Sequence, residues 1–190
     1  MSDLTIKHAG STITRTADSP GSSVSTGNYS VIRLVPTLST DAYAVDDVLF
    51  TGLEIPNAVR GDGGCSELAH MFTVDRDDQG DIDIEFYFTE KNTAFGTVNA
   101  TADISAANIK AIGFNGWAMQ EGSNATTGNN LDNATCHKVM TSAGPGEATA
   151  PLTYLKAAEG STSVYCHAII RTGTPTYTAA GMDLIFHIKH

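Results

Sequence analysis

One short alternation constrains this chain most. From Asp81 to Phe88, Ile82, Ile84, Phe86 and Phe88 alternate with Asp81, Asp83, Glu85 and Tyr87. Apolar residues at every second position share one face of an extended strand, whereas a helix would scatter them around its axis. The same period returns near the other end, where Met182, Leu184, Phe186 and Ile188 alternate with Asp183, Ile185, His187 and Lys189. A strand with one apolar face needs a second layer to cover it, so the pattern calls for sheet packed on sheet.

Between these segments, short apolar stretches recur at intervals set by turn-formers. The pattern predicts strands at 31–35, 48–55, 67–74, 82–89, 114–119, 137–140, 152–155, 164–171 and 182–189. The separators include Gly61-Asp62-Gly63-Gly64, Asp77-Asp78-Gln79-Gly80, Gly144-Pro145-Gly146 and Gly173-Thr174-Pro175. Such residues supply the positive or fixed φ that tight turns require. The expected fold class is all-β, an antiparallel β-sandwich of about eight strands with at most one short helix. That helix is expected at 103–112, capped by Asp103, with Ile104, Ala107, Ala111 and Ile112 as a weak apolar stripe. Residues 120–135 are polar throughout and read as an exposed loop.

A chain of 190 residues suits one such domain, expected at 31–190. Residues 1–30 are rich in Ser, Thr and Gly, with sparse alternation at Leu4, Ile6, Ile13 and Val24, and read as an extended N-terminal arm or edge strand. The formal net charge is -10, and the 11 Lys and Arg form no cluster, which argues against nucleic acid as a partner. No apolar run approaches the roughly 20 residues of a membrane span. The first ten residues carry no apolar signal region, so the expected place of synthesis is a cytoplasm. Cys65, Cys136 and Cys166 are odd in number and lack C-x-x-C spacing, which favours free, buried thiols.

Candidate chemistry is sparse. Asp75, Asp77, Asp81 and Asp83, with Gly80 among them, resemble the start of a calcium loop, since alternating carboxylates can wrap a hard cation. Gln79 then stands at the fifth position and Phe86 at the twelfth, where a bidentate Glu is required, and a strand follows where a helix should, so a polar hairpin turn is the stronger reading and the four Asp a weak calcium candidate. Cys136-His137 and Cys166-His167 are adjacent pairs, but neighbours on a strand point to opposite faces, leaving too few ligands for structural zinc. No G-x-S-x-G elbow, Walker loop or dinucleotide fingerprint is present. A two-carboxylate glycosidase needs only spatial proximity and stays open. Trp117 lies between apolar neighbours and is expected in the core or a subunit interface rather than on a sugar-stacking platform.

The order of several motifs carries a resemblance. Asp41-Ala42-Tyr43, Asp47-Val48-Leu49-Phe50, Glu54-Ile55-Pro56-Asn57-Ala58-Val59-Arg60, Gly63-Gly64, Val74-Asp75-Arg76-Asp77-Asp78-Gln79, Ile84-Glu85-Phe86-Tyr87-Phe88 and Thr172-Gly173-Thr174-Pro175-Thr176-Tyr177 follow one another in the chain. Over 31–190 this looks like small virion structural proteins of tailed bacteriophages, notably marine and cyanobacterial ones. The resemblance implies a jelly-roll-like sandwich and a capsid decoration, or cement, role on the head surface. It further implies a homotrimer that holds neighbouring major capsid proteins together, located in the virion, with no cofactor and no catalytic residues to transfer. The alternative is another virion component: a head fibre, a tail part or a glycan-binding host-recognition domain.

Overall fold

The computed structural model describes residues 28–80, 82–122, 134–140 and 153–190 in full, together with the backbone of 4–8, 11–15 and 128–130. Strands β1 (Leu4–His8) and β2 (Ser11–Arg15) pair antiparallel with Ile6 opposite Ile13, and they join neither of the larger sheets. The remaining elements are β3 (Tyr29–Leu34), β4 (Val48–Ile55), β5 (Cys65–Asp75), β6 (Ile84–Thr89), α1 (Ala106–Ala111), β7 (Phe114–Gln120), β8 (Gly128–Asn130), β9 (Thr135–Val139), β10 (Thr153–Lys156), β11 (Val164–Ile170) and β12 (Met182–Lys189).

Two antiparallel sheets hold them. The six-stranded sheet runs β3-β12-β5-β9-β8, with β10 pairing the first part of β5 and β9 the last part. The four-stranded sheet runs β4-β11-β6-β7. The pairings are nested: β3 with β12, β4 with β11, β5 with β9, β6 with β7. Each early strand thus finds a late one, and the chain folds as a long antiparallel ribbon that doubles over.

The predicted alternations become the two inner faces. Ile84, Phe86 and Phe88 of β6 meet Leu184, Phe186 and Ile188 of β12 in one buried cluster. Phe88 and Phe186 touch edge to face across it, with ring centroids 6.5 Å apart. Burying each such ring stabilises by about 1.5–3 kcal/mol. One edge of the sandwich is tied by a reciprocal backbone pair, Met119 N to Met140 O at 2.6 Å and Met140 N to Met119 O at 2.8 Å. There β10 comes so close to β7 that a Cβ on Gly116 would lie 2.1 Å from Thr153 Oγ1.

Several expectations are corrected. The face of β6 expected to be wet is half covered, because the segment after β6 folds back over the outside of the four-stranded sheet. A second apolar cluster forms there from Val48, Phe95, Ile112 and Ile169, with Tyr87, Ala102 and Ile104 against it. The helix begins later than expected: Ser105, not Asp103, is its cap, accepting from Asn108 N at 3.2 Å. None of its residues is buried, so Ile112 just beyond it anchors the segment instead of a stripe within it. Strand β8 lies within the segment read as a loop, and Gln120 at its start is buried, its side chain accepting from Thr73 Oγ1 at 2.5 Å.

Candidate functional site

The acidic turn after β5 is built by its own carboxylates. Asp75 is buried, and its two oxygens accept the backbone N–H groups of Asp77 and Gln79 at 2.9 and 3.1 Å. Burial, the largest influence, raises its carboxyl above the usual range even though those bonds oppose it. Asp77 turns the other way and accepts from Thr178 N at 2.7 Å and from Thr178 Oγ1 at 3.0 Å. The Arg76 guanidinium closes on Asp183 at the neighbouring end of β12, with Nε to Oδ2 at 3.0 Å. Asp83 itself accepts Gly122 N at 2.9 Å. The three described carboxylates of the calcium candidate therefore point to different partners, and Asp81 lies outside the described residues. Among the described residues, no group of three or more His, Cys, Asp or Glu is placed to hold a metal.

A shallow depression of about 500 Å³ lies beside this turn, lined by Asp77, Gln79, Thr176, Tyr177 and Thr178 among others. Its polar groups mostly bond one another: Thr176 N donates to Gln79 Oε1 at 2.8 Å, as Thr178 does to Asp77. The arrangement is a clamp between the turn and the segment before β12. Tyr177 packs edge to face on Tyr43 at 6.3 Å, and burial, aided by the Asp75 and Asp77 charges, raises its phenol.

The Cys–His pairs separate as strand geometry demands. Cys166 faces the main core and its thiol is raised by burial, while His167 faces the second cluster. The expectation of buried thiols holds for Cys166 alone: Cys136 is half-buried and Cys65 exposed, because Cys65 opens β5 at the sheet end. All three are free.

His167 is a strongly perturbed base. Gly52 N donates to its Nδ1 at 3.1 Å, so Nδ1 carries the lone pair and Nε2 the proton. Thr51 Oγ1, which accepts from Phe95 N, lies 2.8 Å from Nδ1, and Thr89 Oγ1 lies 3.0 Å from Nε2 and donates onward to Lys91 O. Phe95 stacks on the ring at 4.1 Å. Burial lowers the pKa to about 4. Both nitrogens are engaged by β4 and β6, whose Thr51 and Thr89 hydroxyls in turn bond Phe95 and Lys91 of the cover segment, which leaves neither nitrogen for a nucleophile.

Trp117 is not in the core. It is 43% exposed, on the face of β7 opposite buried Ala118 and Gln120, and a bulge puts Phe114, 50% exposed, on the same face. Thr89 pairs with Phe114 but Phe88 with Gly116, so Asn115 is an extra residue in β7. The bulge brings Phe114 and Trp117, three positions apart, to the same outer face as Tyr87 and Thr89. Beside them Arg171 donates to Glu85, Asp46 and the Tyr87 hydroxyl, with Nε to Glu85 Oε2 at 2.6 Å. Hydrophobic alternation alone would not reveal this surface, since the signal is one residue out of register.

The chain matches no known family model, and no curated protein or solved structure is significantly similar to it.

Proposed function

We propose that this chain is a bacteriophage capsid decoration protein, a non-enzymatic virion component that binds the outer surface of the head. In this reading its partner is the major capsid protein, its assembly is a homotrimer, and it stabilises contacts between capsid subunits. The observation that carries the reading is the nested strand pairing. Counting β9 and β10 as one position, eight principal strands pair first with eighth, second with seventh, third with sixth and fourth with fifth. That order supports a jelly-roll reading of the sandwich, an architecture found in viral capsid and lectin domains. A fold alone does not assign a function; the motif resemblance over 31–190 gives this one its direction. The commitment of His167 and of the described turn carboxylates to structural bonds agrees with a role in assembly. Mixing the purified protein with undecorated heads tests the proposal, with ordered density on the head surface as the supporting outcome.

The bulged aromatic surface favours one second reading, a glycan-binding host-recognition domain. Phe114 and Trp117 offer exposed rings, and the Arg171–Glu85–Tyr87 cluster beside them offers fixed donors and acceptors. Glycan binding abolished by Trp117→Ala, with no affinity for heads, would replace the first reading with this one.

A further inference from the structure

The outer face of the six-stranded sheet differs from the rest of the molecule. Its registers set Tyr29, Lys189, Glu67 and Tyr154 in one row across four strands, and Arg33, Ile185, Phe72 and Lys138 in another. A row of Val31, His187 and His70 lies between them, and Asp183, Val74 and Cys136 form a fourth. Val31, Phe72, Val74 and Ile185 make an apolar centre that belongs to neither buried cluster among the described residues. The rim is charged: Lys189 pairs with Glu67 at 2.9 Å, and Arg76 with Asp183. An apolar centre inside a polar rim is the anatomy of a protein interface.

The charge of this face is opposite to that of the whole. Among the described residues it carries five Lys and Arg, namely Arg33, Arg76, Lys138, Lys156 and Lys189, but only Glu67 and Asp183 as acids, with Glu90 pairing Lys156 from its edge. Arg33 and Lys138 flank Ile185 and Phe72 and form no ion pair among the described residues. The other described residues carry four Lys and Arg against fourteen Asp and Glu and are strongly acidic, in a chain whose net charge is -10.

We propose that this face is an interface between copies of the chain, on which the acidic surface of a second copy docks head to tail. A two-fold contact would set the cationic face against itself. A head-to-tail contact sets it against the opposite charge and, if the rotation closes, makes a ring. The inference does not rest on the capsid reading, since self-association would persist in a protein that binds no head.

The test is the solution mass of the full chain by sedimentation across concentration and salt. The wild type should sediment as an oligomer whose dissociation constant rises with salt. Arg33→Glu with Lys138→Glu should weaken association roughly tenfold or more while the circular dichroism stays native. Phe72→Glu, placed at the apolar centre, should do the same. A wild type that stays monomeric at low salt would overturn the proposal. So would an oligomer indifferent to all these substitutions, which would place the contact elsewhere, such as on residues 1–27. Binding to heads, measured separately, reports on the capsid reading alone.

Discussion

Acid should loosen the cover segment through His167. The folded protein holds this imidazole neutral with a pKa of about 4, against 6.5 for the free side chain. A lowered folded pKa means that the unfolded chain binds the proton first as pH falls, so stability is intact above about 6.5 and declines toward 4. At 1.36 kcal/mol per pKa unit, the full loss is about 3 kcal/mol, most of it reached by pH 4.5. Urea unfolding of wild type and His167→Gln at pH 7 and at pH 4.5 isolates this contribution, because every other titrating group is common to both. The wild type should lose about 2 kcal/mol more than the variant over that interval. The variant itself should be less stable at pH 7 by roughly 1–3 kcal/mol, because Thr51, Gly52 and Thr89 lose a partner. Identical pH slopes, or the His167 imidazole resonance, assigned by its loss in His167→Gln, titrating near 6.5 in the folded protein, would refute the reasoning.

Phe186→Ala should cost about 3–5 kcal/mol in urea unfolding, since its ring is fully buried against Phe88. Gly64→Ala should also destabilise, by about 1–3 kcal/mol, because its Cβ would lie 2.4 Å from Arg60 O and the backbone itself would have to move. Thiol labelling should divide the cysteines: exposed Cys65 reacts promptly in the native protein, whereas Cys166 reacts only on unfolding.

Strands were legible in the sequence where a single face is buried. The alternations of β6 and β12 appear in the structure with their apolar faces inward and paired across the core. Their pairing partners were not legible, because nesting β3 with β12 joins segments more than a hundred residues apart and leaves no local mark. Of the two places expected for Trp117 the core is excluded, since it lies on the face of β7 opposite buried Ala118 and Gln120; that Phe114 shares this face was not legible, because alternation cannot see the residue inserted at Asn115. His167 and Gln120 were missed because a polar side chain in a strand reads as solvent-facing unless its partners are known, and those partners lie on other strands. The acidic segment was read correctly as a turn, since its Asp side chains cap backbone amides locally, but not as a hairpin, because β5 and β6 lie in different sheets and the turn carries the chain from one to the other.

The most direct test of the proposed function is electron microscopy of undecorated phage heads incubated with the purified protein at saturating concentration. Decoration predicts ordered density at local threefold positions, together with heads that resist heating better than untreated ones. Bare heads at saturation, with unchanged thermal resistance, would contradict it.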